Sequence, residues 1–349
     1  MTRDTLLNTD AVVIPDAPAL PGLAFRRFRG EEDYAGMAAV LQAANAADGI
    51  DDFISTEELT ADFIHASNFD LGRDLLLAEV DGVVAAYSRV NWYEEDDDTR
   101  IYSFFGEVHP DWRRKGIGRA MVRHTERRAH QIAANHSGSA PRFLQSFAYD
   151  SQRGAAALLR QEGYRAVRHG FTMVRPHLDG LPDPPLPPGI EVRPAYPEHF
   201  RAIWEAKEEA FRDHWGHRAP TEDKYQGWLN DPFFDPDLWQ VAWDAGADQV
   251  VGTVLTFVIP EENERLNRRR GYAESIAVRR PWRKRGVATA LLARSLRQLK
   301  ALGFTEAALH VDGENPSGAL KLYESVGFHA VRRESAYRKS LNIVCLNDT

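Results

Sequence analysis

Apolar and polar positions alternate along this chain in two successive stretches that repeat the same order of patterns. Around Gly22 and again around Gly189, a short alternating run rich in arginine is followed by apolar residues at helical spacing. Extended along each half, the pattern predicts the order β-α-α-β-β-β-α-β-α-β-β. Strands followed by helices in both halves predict an α/β fold with a mixed (α+β) sheet and helices on its faces.

The second half shows this order most clearly. Its helices are predicted at 197–212, at 220–229 with Thr221 as a capping residue, at 286–302 and at 316–325. Its strands are predicted at 238–244, 249–259, 271–278 and 305–311, and a last hairpin completes it.

Two further pairs of segments show that the halves are copies. Residues 108–120 (VHPDWRRKGIGRA) match 278–290 (VRRPWRKRGVATA), and 155–164 (AAALLRQEGY) match 319–328 (ALKLYESVGF). With the pair at Gly22 and Gly189, the shifts between copies are 167, 170 and 164 residues. Colinear matches at a nearly constant shift indicate a duplicated domain.

A proline-rich stretch separates the copies, and proline suits neither helix interiors nor central strands. We therefore predict a poorly ordered N-terminal arm at 1–21, an N-terminal domain at 22–175, an extended linker at 176–189 and a C-terminal domain at 190–343.

Composition narrows the function classes. The 349 residues are 43% apolar and carry one cysteine, which indicates a globular chain of two domains without disulfides or a cysteine-based zinc site. The net charge of −8 is opposite in sign to that expected of a nucleic-acid-binding protein. No apolar stretch suggests a membrane span, and no leader pattern suggests export. We expect a cytoplasmic monomer or homodimer that binds no nucleic acid, membrane or metal.

The strand at 271–278 runs into a basic loop, and a helix begins at the end of that loop. A helix N-terminus offers unpaired N–H groups that suit a phosphate, and Gly286 and Ala288 leave room for it. The predicted ligand-binding residues of the second half are Arg283, Lys284, Arg285, Gly286, Val287, Ala288 and Thr289. Their counterparts in the first half are Arg113, Arg114, Lys115, Gly116, Ile117, Gly118 and Arg119.

These segments resemble the GNAT (Gcn5-related) N-acetyltransferase superfamily. Its pyrophosphate loop, [Q/R]-x-x-G-x-[G/A], matches residues 113–118 and 283–288, and its N-x-x-x-A-x-x-L-Y-x-x-x-G-F pattern matches residues 315–328. Two copies in tandem resemble the mycothiol-synthase-like members. The resemblance implies two GNAT domains and acetyl-CoA as cofactor.

The resemblance also assigns roles in the second half. Tyr323 stands where the family places its general acid, and Glu274 is the candidate general base, although some members carry that base two residues earlier. The family's pantetheine and cofactor contacts fall on the backbone of Ile276, Ala277 and Val278 and on Asn315.

The first half departs from the family pattern. Leu159 takes the tyrosine position, Ser151 the asparagine position and Phe104 the glutamate position, whereas the phosphate loop is retained. We expect this half to be non-catalytic, with acetyl-CoA binding left open.

Three other residues are considered. His214 and Trp215 lie between the first two helices of the second half, where the family forms its acceptor wall, so they are candidate substrate residues. His310 ends an apolar strand and is predicted to be a packed side chain.

The combined prediction is an acetyl-CoA-dependent N-acetyltransferase that acts on a primary amine of a small molecule, similar to a mycothiol precursor or to an aminoglycoside. The alternatives are a non-catalytic acyl-CoA-binding regulatory protein and a protein N-acetyltransferase.

Overall fold

The computed structural model describes residues 10–51, 56, 59–60, 63, 67–315 and 318–342. The chain forms two compact units. The first takes in the residues up to Val167 and those from Ala336 onward, and the second runs from Arg168 to Ser335.

The first unit orders its strands β1-β2-β3-β4-β5, followed by the end of β12. Its strands are β1 (Leu23–Arg26), β2 (Leu75–Val80), β3 (Val83–Glu94), β4 (Arg100–Val108) and β5 (Arg142–Tyr149). The described helices of this unit are α1 (Glu32–Asp48), α2 (Leu71–Asp74), α3 (Ile117–Ala133) and α4 (Arg153–Gln161). Pairing is antiparallel from β1 to β4, and β4 pairs with β5 in parallel.

The second unit orders its strands β12-β6-β11-β10-β9-β8-β7, with β10 and β11 parallel. Its strands are β6 (Arg165–Arg175), which begins in the first unit, β7 (Ile190–Arg193), β8 (Gln240–Asp244), β9 (Gln249–Phe257), β10 (Arg270–Val278), β11 (Glu306–Asp312) and β12 (His329–Ser340), which ends in the first unit. Its described helices are α5 (Phe200–Phe211), α6 (Glu222–Leu229), α7 (Pro260–Arg265), α8 (Val287–Ala301) and α9 (Ala319–Ser325).

The predicted mixed α/β architecture is confirmed, and most helices and strands of the second half lie within a few residues of their predicted positions. The predicted last hairpin is wrong, because residues 329–340 form one uninterrupted strand. The compact units also divide inside β6 and β12, whereas the predicted domain boundary lies in the proline-rich stretch. The predicted ranges therefore follow the sequence repeat. In the structural units, most of β6 belongs to the second unit and the end of β12 belongs to the first.

Helix α8 shows how the apolar spacing builds the core. Leu291, Leu292, Leu296 and Leu299 are fully buried and belong to one apolar cluster with residues of β9, β10 and β11. The spacing of these leucines places them on one side of the helix. This packing fixes the N-terminal end of α8, where the basic loop ends. Of the helices in the described part of the chain, none has the length and apolarity needed to cross a membrane.

The proline-rich stretch and the N-terminal arm are two copies of one element. Residues 14–22 read IPDAPALPG and residues 181–189 read LPDPPLPPG. In the first unit, Asp16 pairs with Arg127 of α3 at 2.7 Å. In the second unit, Asp183 pairs with the corresponding Arg297 of α8, also at 2.7 Å. Each repeat therefore begins with a proline-rich segment that packs along its long helix.

This packing corrects the prediction of a poorly ordered arm for residues 10–21. Ile14 is buried with Phe25, Ile117 and Met121, and the Val12 N–H donates to the Phe25 carbonyl at 2.8 Å. Residues 1–9 lie outside the described residues. The predicted linker packs in the same way, because Leu178 is buried in the core of the second unit with Leu181 and Leu186 beside it. Neither segment forms helix or strand beyond one isolated bridge at Ala11.

Replacing Ile14 with alanine tests whether the arm is part of the first unit. Ile14 is 5% exposed and its neighbour Val13 is 91% exposed, so the two offer a matched pair. We expect Ile14→Ala to lower the free energy of unfolding by about 2–4 kcal/mol, since it leaves a cavity in the core. Val13→Ala should change it by less than about 0.5 kcal/mol. Urea denaturation measures both, and equal effects would contradict the packing of the arm.

Candidate active site

The parallel strands β10 and β11 separate part-way along their length. Their pairing covers Arg270–Tyr272 and Glu306–Ala308, yet the strands continue to Val278 and Asp312. Buried backbone N–H and C=O groups need hydrogen-bond partners. The opening between the strands therefore offers backbone groups of β10 to an extended ligand.

A β-bulge accompanies the opening. The register of β10 against β9 shifts between Glu274 and Ala277, and Ser275 has a φ of 48°. A left-handed conformation is uncommon for a residue other than glycine. The Thr253 hydroxyl donates to the Ser275 carbonyl at 2.8 Å and holds this conformation. The bulge re-aims the side chains on either side of Ser275, Glu274 among them.

The Glu274 carboxylate bridges the opening to β11. Its Oε1 accepts the backbone N–H of His310 at 2.8 Å and lies 2.7 Å from His310 Nδ1. The prediction of a packed His310 is wrong, because 53% of its side chain is exposed. Residues 307–309 of β11 are buried in succession, whereas His310 lies beyond Ala308, where the pairing with β10 ends.

Tyr323 of α9 lies on the buried side of this region. It is 6% exposed and belongs to the apolar cluster that contains Val311 and Phe328. Burial raises the pKa of the Tyr323 hydroxyl, and the negative charge of Glu274 raises it further. The hydroxyl therefore keeps its proton at neutral pH and can serve as a proton donor.

The basic loop after β10 has the geometry of an anion site. Lys284 has a φ of 59° and Gly286 a φ of 86°, and α8 begins at the next residue. Left-handed residues in such turns point successive N–H groups toward one concave surface, and a helix N-terminus adds its dipole. Among the described residues other than its two chain neighbours, no heavy atom lies within 4 Å of a Cβ built on Gly286, so the space above the loop is open.

The arginine of each loop points into the protein and not toward this open space. Arg283 donates to the Val278 and Ala210 carbonyls at 2.9 Å each and pairs with Asp213 at 2.7 Å. Arg280 and Arg283 hold the pKa of Asp213 well below its usual range. Arg283 thus braces the loop against the end of α5, and its predicted role in cofactor binding stays a prediction.

The other predicted loop residues divide by burial. Val287 is buried in the core, so only its backbone N–H is available at the helix N-terminus. Lys284, Arg285 and Gly286 are exposed, and Ala288 and Thr289 are half-buried. On β10, Ala277 is buried and Ile276 and Val278 are half-buried, so their backbone groups are what they can offer to the opening.

The first unit repeats the scaffold of this site. Pairing of β4 with β5 ends at Ser103 and Gln145, although both strands continue. Its loop has the same left-handed residues, Arg114 at 62° and Gly116 at 92°. Its arginine is also a brace, because Arg113 makes two hydrogen bonds to Asp48, at 2.7 and 2.9 Å.

The side chains around the opening of the first unit are different. Phe104 packs edge-on against Tyr164 at 5.6 Å, and Leu159 is 4% exposed, so apolar groups replace the carboxylate and the hydroxyl. Glu107 is a second carboxylate beside the loop, with its Oε2 4.0 Å from Arg113 Nη2. Burial raises the pKa of the Glu107 carboxyl to about 7. Sequence reasoning gave this residue no role.

The remaining residues of the first loop have contacts within the unit. Ile117 is buried in the core, Arg119 pairs with Glu162 at 3.0 Å, and Lys115 lies over the Trp112 ring at 4.2 Å. Gly118 is close-packed, since a Cβ built there lies 3.4 Å from Leu158.

His214, Trp215 and Asn315 lie near the end of β11. Arg168 lies over the Trp215 ring at 5.8 Å and pairs with Asp312 at 2.7 Å. Burial lowers the pKa of His214, while the nearby Asp312 carboxylate opposes that shift. The Asn315 N–H donates to the Asp312 carbonyl at 3.2 Å. The structure thus gathers all three residues around Asp312, two positions beyond His310.

Comparison with known proteins gives a family match for each half of the chain. A family model described as Acetyltransferase (GNAT) family matches residues 200–328, and one described as Acetyltransferase (GNAT) domain matches residues 72–166. Mycothiol acetyltransferase of Geodermatophilus obscurus is 30% identical over 307 residues, which cover 86% of this chain and 93% of that protein.

Solved structures show the same relationship. A GCN5-related N-acetyltransferase from Sphaerobacter thermophilus superposes with a TM-score of 0.70 at 30% identity, covering 91% of this chain and 95% of that one. A tandem GNAT protein from the clavulanic acid biosynthesis pathway shares the fold, with a TM-score of 0.63 at 16% identity over 92% of this chain and 99% of that one.

The fold and the loop define an acetyltransferase. The chain belongs to the GNAT acetyltransferase family, as two GNAT domains in tandem, and its cofactor is acetyl-CoA. The residues of the second unit fit that cofactor. The left-handed loop with open space at Gly286 suits a pyrophosphate, and the unpaired edge of β10 suits an extended amide-bearing arm.

Exchanging the loop glycine for glutamate tests which unit uses the cofactor. We expect Gly286→Glu to raise the KM for acetyl-CoA at least tenfold, because a carboxylate then projects into the space for the pyrophosphate. Gly116→Glu is the counterpart in the first unit, since both glycines have similar left-handed φ values, although a Cβ at Gly116 lies 3.1 Å from Pro18 and thermal unfolding must show that this variant is folded. We expect Gly116→Glu to leave kcat and the KM for acetyl-CoA within about threefold of the wild-type values. An equal loss in both variants would show that the first unit is required for turnover.

Proposed function

We propose that the second unit transfers the acetyl group of acetyl-CoA to a primary amine of a small molecule. The observation that supports this most is the position of Glu274 and Tyr323 at the opening between β10 and β11, directly before the phosphate loop. A carboxylate and a proton-bearing hydroxyl thus lie at the opening, where the pantetheine arm would bring the thioester once the loop holds the pyrophosphate.

In this proposal the backbone of β10 and the loop hold acetyl-CoA. Ile276, Ala277 and Val278 pair with the pantetheine arm, and Asn315 lies beside it. The pyrophosphate contacts the backbone N–H groups from Lys284 to Thr289, with Lys284 and Arg285 adding positive charge. The acetyl thioester is what the cofactor supplies.

Proton transfers then fall to the chain's own side chains. A free amine has a pKa of about 8 to 10, so a base must remove a proton near neutral pH. Glu274 is placed at the opening to take part in this step. Tyr323, which stays protonated, donates its proton to the departing thiolate. Donors on the β10 backbone beside the bulge stabilise the developing negative charge on the carbonyl oxygen.

The proposed acceptor is an amine similar to a mycothiol precursor. The support is the relative named mycothiol acetyltransferase, of whose length this chain covers 93% at 30% identity. An aminoglycoside-like amine is the second candidate, and a protein amine is the third. The first unit, which has Phe104 and Leu159 in place of the two polar groups, is proposed to be non-catalytic.

A panel of amines with isotopically labelled acetyl-CoA tests the function. The panel includes a thiol-bearing aminoacyl amine, an aminoglycoside and a lysine peptide, and mass spectrometry detects the acetylated product. Thiol-reactive dyes are avoided because a thiol acceptor would react with them. We expect the thiol-bearing amine to be acetylated fastest. Tight binding of acetyl-CoA without product from any amine would contradict the proposal.

Replacing Tyr323 with phenylalanine tests the proton donor. General acid catalysis typically contributes about 10²–10⁴ in rate, so we expect kcat to fall at least 100-fold while the KM for acetyl-CoA stays within threefold. Tyr337→Phe is a matched control, since Tyr337 is equally buried and its hydroxyl accepts a hydrogen bond from Arg160 in the first unit. A kcat for Tyr323→Phe equal to that of the control would exclude the role of Tyr323.

A further inference from the structure

His310 has the contacts of a histidine that is held by a carboxylate. Its Nδ1 lies 2.7 Å from Glu274 Oε1, and its own backbone N–H donates to the same oxygen at 2.8 Å. Two contacts from one residue fix both the position of the carboxylate and the plane of the imidazole ring. The ring also lies parallel to that of Tyr272, with an interplanar angle of 2° and centroids 6.4 Å apart.

These contacts determine which ring nitrogen carries the proton. An ionised carboxylate only accepts hydrogen bonds, so the contact with Glu274 requires the proton on Nδ1. The neutral ring then has its lone pair on Nε2. Because 53% of the His310 side chain is exposed, against 25% for Glu274, the histidine is the more accessible partner in the opening.

The ring has two carboxylates as neighbours. Glu274 faces it from β10, and Asp312 lies two residues along β11, on the same side of the strand. Arg168 of β6 pairs with Asp312 at two positions, 2.7 and 2.8 Å, so Glu274 is the carboxylate in direct contact with the ring. Tyr272 and Tyr323 are the neighbouring titratable groups, and burial raises the pKa of each, so both are neutral at neutral pH.

We propose that His310 is the general base of the reaction and that Glu274 is the residue that orients it. This inference rests on the proposed function of the second unit. The N–H bond of the acceptor ammonium breaks, an Nε2–H bond forms, and the electron pair stays on the amine nitrogen as the nucleophile. The imidazolium is stabilised by the Glu274 carboxylate through Nδ1–H and returns its proton to solvent after the acetyl transfer.

Three variants of the enzyme distinguish this arrangement from Glu274 acting alone as base. His310→Asn keeps an amide nitrogen near the position of Nδ1, so the donor to Glu274 remains while Nε2 is lost. We expect its kcat to fall at least 100-fold and the acid limb of its kcat/KM profile to disappear. Glu274→Gln should also lose at least tenfold in kcat. His169→Asn, at a histidine bonded to Ser335, is the control and should match the wild type.

If Glu274 accepted the proton itself, His310→Asn would stay within threefold of the wild type with an unchanged pH profile, and that result would overturn the proposal. A wild-type enzyme that acetylates no amine would instead overturn the proposed function. The two failures are therefore separate outcomes.

Titration of the imidazole by NMR supplies a measurement that needs no turnover. An opposite charge in contact raises the pKa of a histidine by one to three units. We therefore expect the pKa of His310 to fall by about one unit or more in Glu274→Gln. An unchanged pKa would show that the carboxylate does not stabilise the imidazolium, and the assignment of Glu274 as the orienting residue would be wrong.

Discussion

The site of the second unit depends on the separation of two parallel strands. Beyond Tyr272 and Ala308 the strands β10 and β11 no longer pair, so the sheet loses a row of hydrogen bonds there. The side chain of Glu274 replaces part of that row by accepting the backbone N–H of His310. The bulge at Ser275 turns the strand at the same place, and the apolar packing of α8 holds the loop beyond it. The geometry of the site is therefore a consequence of where the pairing stops.

The two units show how one scaffold carries different chemistry. Both have an early end to the parallel pairing and a loop with two left-handed residues. In the second unit, the carboxylate of Glu274, the imidazole of His310 and the buried hydroxyl of Tyr323 lie at the opening. In the first, Phe104 lies at the position of Glu274 and is buried against Tyr164. The Phe104 ring belongs to the apolar cluster of the first unit, so this position is part of the core there.

Much of the fold and part of the site could be predicted from the repeats. The loop stands out because its motif and its strand–loop–helix context coincide in both halves, and Tyr323 stands out because it falls within the motif at residues 315–328. His310 could not be assigned, since its exposure depends on the divergence of β10 and not on the alternation within β11. The prediction of a poorly ordered arm was also wrong. The Pro-Asp-x-Pro-x-x-Pro-Gly pattern repeated at residues 15–22 and 182–189 is the signal in the sequence that indicates a packed segment. Because the arm has few apolar residues, its hydrophobic pattern alone does not predict that it packs against the core.

The brace made by the loop arginine changes what the motif itself implies. Arg113 and Arg283 point away from the open space and tie each loop to the end of a helix and of a strand. Gly116 and Gly286 are required by their left-handed φ. Each of these residues has a reason within the fold, whether or not a cofactor binds. Retention of the loop in the first unit is therefore explained by folding alone, and acetyl-CoA binding there needs evidence beyond the motif.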